Sequence, residues 1–319
     1  MSVQTVSPVV SPLAKDWVVY SDGRYAPLSQ VAFKANTQAL NYGTGTFEGI
    51  RAYWDDERKQ LNLFRGRDHF ARFINSARTL RIEADDTADD FVAITQELVR
   101  RNGFRQDIYI RPLWLKKSLM PGEKFGVKLR GVDSTVCINA LPMGAYASAG
   151  PFRCIVSKWQ RVSNAAIPSA AKITGTYVNS ALAYEDARDH GADDAIMLNA
   201  RGECAESTTS NVFIVKNGRV LTPPLFAGIL AGVTRDCVLQ ICNFLGIPAA
   251  EAAITLEELH SADQCFLTGT GIEIKMVSDL DGRALATDEG AIAHRIIESY
   301  QKVVRGQVEQ FRSWLHPMY

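Results

Sequence analysis

The residues able to do chemistry begin with one lysine in a run of small neighbours, Ser169-Ala-Ala-Lys172-Ile-Thr-Gly-Thr-Tyr177. Lysine is seldom fully buried without a partner. An apolar setting penalises the ammonium form, so such an amine titrates low and becomes a nucleophile able to form a Schiff base with a carbonyl compound. A carboxylate, Glu206, stands among small hydroxyl residues in Gly202-Glu-Cys-Ala-Glu206-Ser-Thr-Thr-Ser-Asn211, just ahead of a predicted strand. Gly232-Val233-Thr234-Arg235-Asp236 opens a predicted helix with Thr234 as its N-cap, and free N–H groups at a helix start favour an anion, phosphate above all. Leu267-Thr268-Gly269-Thr270-Gly271-Ile272-Glu273-Ile274 reads as strand, tight glycine turn and strand, and backbone N–H groups in such a turn can cradle carboxylate or phosphate oxygens. Taken singly, each also fits an ordinary feature: a snorkelling lysine, a solvated turn, a capped helix, a β-turn.

The elements that must position these groups follow from periodicity and turn residues. Residues 17–28 alternate around Asp22-Gly23, the dipeptide of a tight hairpin. Asn41-Tyr-Gly-Thr-Gly-Thr-Phe-Glu-Gly-Ile-Arg51-Ala-Tyr53 is glycine-rich, but its spacing misses the dinucleotide fingerprint, and no ordinary strand precedes it. It reads as a strand pair with glycine kinks whose backbone comes close to a pocket. Phe70, Phe73, Ile74, Ala77 and Leu80 recur at helical spacing over 67–81, with Arg72 beside the stripe. A second amphipathic helix covers 88–101. Asp107 to Trp114 alternates as a strand, which puts Tyr109 and Arg111 on one face. Residues 118–131 read as a loop over a site, and Tyr146-Ala-Ser-Ala-Gly-Pro151 as a linker. Beyond it come frequent strands, hairpins at Asn217-Gly218 and Asp281-Gly282, and helices at about 178–190, 234–245 and 289–314. These readings divide the chain into 1–145, a linker at 146–152, and 153–319.

Composition narrows the class. The chain has 319 residues, 46% apolar and 22% charged, enough for two domains with substantial cores. Lys+Arg and Asp+Glu are 35 each, so no bulk charge draws it to nucleic acid or acidic lipid. No apolar run is long enough to span a bilayer, and the N-terminus lacks a signal-peptide pattern. Six scattered cysteines without Cys-x-x-Cys pairs, and five histidines without metal spacing, suit free thiols in a reducing compartment and no metal site. A cytoplasmic protein acting on small molecules is expected.

Several of these motifs, in this order, resemble the class IV aminotransferases, the fold-type IV pyridoxal phosphate (PLP) enzymes, and among them most of all the branched-chain amino acid aminotransferases. The resemblance runs from Asn41–Arg51 through Arg67-Asp-His-Phe-Ala-Arg72, Tyr109-Ile-Arg111-Pro, Gly144-Ala-Tyr146, Arg161–Tyr177, Glu206–Phe213, Thr222-Pro-Pro224 and Gly232–Asp236 to Gly269-Thr270. It implies an α/β chain of α+β type, with a smaller N-terminal α/β domain and a larger C-terminal β-barrel-like domain carrying helices. It implies that Lys172 holds PLP and moves the proton in transamination. Glu206 would pair with the ring nitrogen and Tyr177 with the ring hydroxyl, while Arg72, the N–H groups of Val233 and Thr234, and Thr270 would hold the phosphate. Tyr109 and the Thr270-Gly271 turn would take the substrate α-carboxylate. Phe47, Tyr42 and Tyr146 would line the side-chain pocket, and Arg111 would receive the distal carboxylate of glutamate. A homodimer is implied, with Tyr42 and the 118–130 loop crossing to the partner subunit's site.

The implied activity is amino transfer between L-branched-chain amino acids and 2-oxoglutarate. Class IV also holds D-amino acid aminotransferases, (R)-amine transaminases and aminodeoxychorismate lyase; the Phe47-Glu48-Gly49-Ile50-Arg51 run and the Tyr109/Arg111 pair favour the branched-chain branch. Lys172, Glu206 and Arg72 together argue against a non-catalytic binding protein. The sequence departs from the family pattern at Gly271-Ile272, where two alanines are usual, at Lys275, at Met143, where a bulky aromatic often stands, and at Ser210, where several relatives carry glutamate. These departures bear on the substrate side chain and leave the cofactor positions intact. A specialised amino acid substrate is the reading they would favour.

Overall fold

A computed structural model describes residues 16–117, 126–144 and 150–319. The first part of the chain forms strands β1 (Val18–Ser21), β2 (Arg24–Pro27), β3 (Gly45–Phe47), β4 (Ile50–Asp55), β5 (Gln60–Phe64), β6 (Ile108–Lys116) and β7 (Ser134–Pro142). Its helices are α1 (Gln38–Tyr42), α2 (Gly66–Thr79) and α3 (Ala88–Asn102). The second part adds β8 (Phe152–Val156), β9 (Asp194–Leu198), β10 (Cys204–Ser207), β11 (Asn211–Lys216), β12 (Arg219–Thr222), β13 (Ala249–Glu251), β14 (Gln264–Gly269), β15 (Glu273–Leu280) and β16 (Arg283–Ala284). Helices α4 (Tyr177–Asp189), α5 (Val233–Phe244), α6 (Leu256–His260) and α7 (Ile292–Val304) lie among them, and β17 (Leu315–Pro317) closes the chain.

The strands make two sheets. The first runs β17-β5-β4-β6-β7-β1-β2, with β3 also paired to β6. In the second, β10-β9-β8-β15-β14-β11 closes on itself because β11 pairs back to β10, giving a six-stranded barrel that β12 and β13 extend. The expected α/β architecture of a smaller N-terminal unit and a barrel-like one is present. Two segments cross the expected division: β17 pairs antiparallel with β5, and Ile173 bridges to Thr46. Ala171 and Ile173 therefore pack in the first core although they follow the linker.

Local chemistry accounts for most boundaries. The hairpin at Asp22-Gly23 places both residues at positive φ, as a two-residue turn between twisted strands requires. Helix α3 starts on a reciprocal capping box between Thr87 and Asp90 and stops at the left-handed Gly103. Its Phe91 meets Phe70 and Phe73 of α2 at ring separations of 5.5 and 5.6 Å, over Trp114 of β6. Truncating one such buried ring to alanine costs about 3–5 kcal/mol. The strand pair expected over 41–53 is not formed as such: Asn41 and Tyr42 belong to α1, and β3 and β4 each pair with β6, with a break at Glu48-Gly49 opposite Arg111-Pro112. Pro112 has no N–H to give, so the ladder cannot run through, and Glu48 N donates to Pro112 O instead.

Two sequence expectations need correction. The helix expected over 289–314 is shorter: α7 ends at Val304, Gly306 takes φ +72°, and Glu309–Trp314 forms a separate 3-10 turn. The helical spacing continues across the break, but a left-handed glycine ends the hydrogen-bond ladder. Helix α5 begins at Val233 with Gly232 as N-cap, so Thr234 is a helical residue, not the cap. A Cβ on Gly232 would come within 2.0 Å of Asn211 Oδ1, which explains why the cap position carries no side chain.

Candidate active site

Lys172 lies in an extended connection, not on a helix, and two elements, α2 and β3, hold its backbone. Lys172 N donates to Ser76 Oγ of α2 (3.0 Å), Phe47 N donates to Lys172 O (3.1 Å), and the next residue bridges to β3. The side chain enters an aromatic corner. Its Nζ stands 4.8 Å from the Phe47 ring centre and 5.1 Å from that of Tyr177, and the two rings meet edge-on at 4.6 Å. Lys172 Nζ donates to Tyr177 Oη at 2.5 Å. The five-residue spacing works because a single 3-10 turn, Thr174–Thr176, turns the chain back into α4 at Tyr177.

Two connected cavities share Lys172, Tyr177, Arg72, Ser210 and Thr270. The inner one is narrow and polar, lined also by Arg161, Glu206, Asn211, Gly232, Val233, Thr234 and Thr268. The outer one, about 260 Å³, is lined also by Phe47, Gly49, Tyr109, Arg111, Met143, Gly271 and Ile272. In the wall of the inner cavity, α5 opens with Gly232 giving no side-chain cap, so the first N–H groups of the helix have no intrahelical acceptor. Arg72 stands beside them: its Nη1 donates to Ala231 O at 2.7 Å, one residue ahead of the helix cap.

Glu206, also in that wall, is buried. Arg161 Nε lies 2.7 Å from one carboxylate oxygen, while Leu230 N and Asn211 Nδ2 donate to the other at 3.0 and 3.1 Å. Burial pushes the Glu206 carboxyl up from its ordinary range, and the Arg161 charge only partly offsets it. Among the described residues, Arg161 Nη1 and Thr268 Oγ1 are buried polar atoms without a protein partner, and both belong to residues lining this cavity. Buried donors left open in a polar cavity are what a polar ligand would satisfy.

The outer cavity is built on β6. Tyr109 and Arg111 share a face, and Arg111 Nη2 donates to Tyr109 Oη at 3.0 Å. The Arg111 guanidinium carbon lies 4.9 Å from the Phe47 ring centre. Gly49 is required here, since a Cβ would fall 1.8 Å from Tyr109 Oη. The Thr270-Gly271-Ile272 turn faces in from between β14 and β15. Buried Arg51 ties that turn to Gly144, two residues ahead of the expected linker, donating through Nη2 to Gly271 O and Gly144 O at 3.0 Å each.

The predicted site residues Lys172, Arg72, Tyr177, Glu206, Val233, Thr234, Thr270, Phe47, Tyr109, Arg111 and Gly271 therefore line one continuous space. Tyr42 does not line it within one chain; it ends α1 and is exposed. Tyr146 and residues 118–125 lie outside the described residues. Sequence reasoning assigned no role to Arg161 or Glu48. Glu48 carried a signal all the same: a carboxylate inside the run Phe47-Glu48-Gly49-Ile50 has to be partnered when that strand is buried. Arg161 carried none, because its partner Glu206 is distant in sequence.

Residues 45–280 match the family model described as amino-transferase class IV. The chain is 37% identical over 303 residues to the probable branched-chain-amino-acid aminotransferase of Aquifex aeolicus (strain VF5), covering 94% of this chain and 96% of that one. Among solved structures it superposes on the branched-chain aminotransferase of Thermoproteus uzoniensis with norvaline at a TM-score of 0.90, with 41% identity over 95% of this chain and 99% of that one. The branched-chain amino acid aminotransferase of Thermobaculum terrenum, in its PLP form, gives a TM-score of 0.88 and 30% identity, covering 95% of this chain and 98% of that one. The fold, the cavity around Lys172 and these similarities define a fold-type IV transaminase. The chain belongs to the class IV aminotransferases, whose cofactor is pyridoxal phosphate.

Proposed function

We propose that the enzyme moves the amino group between L-branched-chain amino acids and 2-oxoglutarate, with PLP seated in the inner cavity. The observation that carries this is the set of groups around one space. A helix start, an arginine, a buried carboxylate and a lysine amine line the inner cavity, and a second cavity of mixed polar and apolar lining shares the lysine. PLP, when bound, supplies an electron sink that stabilises negative charge on the substrate α-carbon. Lys172 Nζ would hold the cofactor covalently and, once displaced by the substrate amine, would move the proton at the substrate α-carbon. Tyr177 Oη, within hydrogen-bond reach of that amine, would orient it and bind the ring hydroxyl. Glu206 would keep a proton at the ring nitrogen, with Arg161 holding Glu206 in place. Arg72, Val233 N, Thr234 N and Thr270 would bind the phosphate.

In the outer cavity, Phe47, Met143 and Ile272 suit a short branched side chain. Arg111, with its Nε buried and unpartnered, suits the distal carboxylate of glutamate. Tyr109 Oη and the Thr270-Gly271 backbone would take the α-carboxylate. That the named relatives are branched-chain aminotransferases supports the same substrates. A homodimer fits the surface: Leu40 and Tyr42 on α1 and Val178 and Leu182 on α4 are exposed, and Gly175 N, just ahead of α4, donates to Gly43 O at the end of α1. Six free, buried cysteines fit a reducing, cytoplasmic setting.

The test is an amino-donor panel with 2-oxoglutarate as acceptor, run on wild type and Lys172→Ala. Leucine, isoleucine and valine should be the preferred donors, and the variant should lose turnover while keeping its fold and some PLP binding. Near wild-type turnover in Lys172→Ala would sink the catalytic assignment. A panel won by D-amino acids or amines would sink the substrate.

A further inference from the structure

Arg72 is not free to meet a phosphate from any direction, because most of its donors are already engaged. A guanidinium has five N–H groups. Nε and Nη2 donate to the two oxygens of Glu48 at 2.7 and 2.8 Å, side-on and bidentate, and Nη1 donates to Ala231 O at 2.7 Å. Two N–H groups remain, one on Nη1 and one on Nη2. The one on Nη2 points off the edge that Glu48 holds and can meet a phosphate oxygen. Glu48 thus occupies the Nε–Nη2 edge of the guanidinium and leaves these donors open.

Glu48 is itself held from behind. It is fully buried at the break between β3 and β4, with Gly49 N at 3.3 Å and His69 Nδ1 at 2.9 Å, both on Oε2. Burial alone would raise the Glu48 carboxyl, but the Arg72 and His69 partners together outweigh it and hold the group well below the usual carboxylate range. An ionised carboxylate only accepts, so His69 carries its proton on Nδ1. Burial lowers the His69 imidazole, which favours that neutral form. His69 and Arg72 are three residues apart on α2, one above the other, so a single helix face presents both to Glu48. Ser76, one turn further on, donates to Arg72 O and accepts from Lys172 N, joining the same helix to the lysine.

We propose that Glu48, held by His69, is a positioning residue that fixes the Arg72 guanidinium, with its remaining N–H groups open, beside the phosphate-binding start of α5. The inference rests on the reading that Arg72 binds the cofactor phosphate. It adds that the grip depends on a carboxylate that touches neither cofactor nor substrate. Without Glu48 the guanidinium gains rotamer freedom and a buried positive charge lacks its partner, so the loss should be confined to ligands that carry a phosphate.

The experiment titrates apoenzyme with PLP, with pyridoxal and with inorganic phosphate as a competitor, in wild type, Arg72→Ala, Glu48→Gln and the double variant. We expect each single variant to weaken PLP by about 10–100-fold, in line with the removal of a group that orients a direct ligand. Pyridoxal affinity should be unchanged, inorganic phosphate should compete less well, and the double variant should bind PLP no more weakly than Arg72→Ala. Unchanged PLP affinity in Glu48→Gln, equal loss of PLP and pyridoxal, or additive losses in the double variant would each overturn the positioning role. Unchanged PLP affinity in Arg72→Ala would instead overturn the phosphate reading beneath it. If Glu48→Gln does not fold, Glu48→Asp keeps the charge but shortens the reach. It should show the same selective loss at smaller size, and an unselective loss there overturns the proposal equally.

Discussion

Two buried carboxylates reach this site from the two sheets, and their environments push them in opposite directions. Glu48 comes from the N-terminal sheet and meets two arginine nitrogens and an imidazole N–H; its carboxyl is held low. Glu206 comes from the barrel and meets Arg161, one backbone N–H and one amide; burial prevails and its carboxyl is raised. Burial alone therefore does not set the charge state of a carboxylate. The number and aim of its charged partners do. A fixed anion suits a group that must hold an arginine still, and a carboxylate whose burial raises its pKa is a different kind of partner.

The comparison breaks most visibly in turnover. Glu206→Gln removes the charge expected to face the ring nitrogen, and we expect kcat to fall by about 10²–10³-fold, the size of a lost preorganised electrostatic contact. Excess PLP should not restore it. A kcat within a few-fold of wild type would mean that Glu206 is another structural anion like Glu48.

The outer cavity gives the next largest effect. Gly271→Ala combined with Ile272→Ala should redistribute kcat/KM among leucine, isoleucine, valine, phenylalanine and glutamate by about 10–200-fold, the range for one or a few methylenes in a pocket. PLP affinity should hold, because neither carboxylate nor Lys172 is touched. Equal change across all five donors would show that the turn does not select the side chain.

The smallest effect is in acid stability, where the two carboxylates should give opposite signs. Glu48 has a folded-state pKa below its unfolded value. Its contribution is present above about pH 4.3 and is lost as pH falls toward the folded value. Glu206 has a raised folded-state pKa, so its contribution is present below about pH 4.3 and is lost as pH rises through the folded value. Each group changes the slope of stability against pH by at most about 1.4 kcal/mol per unit. Urea melts of the apoenzyme across the acid limb should show a shallower slope in Glu48→Gln and a steeper one in Glu206→Gln. Shifts of the same sign would erase the distinction drawn between the two sites.

The sequence by itself determined what local chemistry determines. The Asp22-Gly23, Asn217-Gly218 and Asp281-Gly282 turns require positive φ, and each hairpin formed there. The stripe on α2 and the alternation on β6 set which side chains face the core, and so placed Arg72, Tyr109 and Arg111 toward the site. The order of the motifs was enough to identify the family, because spacing along the chain survives whatever the packing does. Tertiary structure decided the rest. Gly306 cut the last helix although the apolar spacing ran on, since one left-handed residue outweighs a periodic stripe. Asn211 claimed the space that a side chain on the α5 cap would have filled. Arg161 met Glu206, and His69 and Arg72 met Glu48, across 45, 21 and 24 residues of sequence, and only tertiary packing brought those groups within 3 Å. Charge state is a property of such neighbours, so the sequence could name both carboxylates but only the fold could tell them apart.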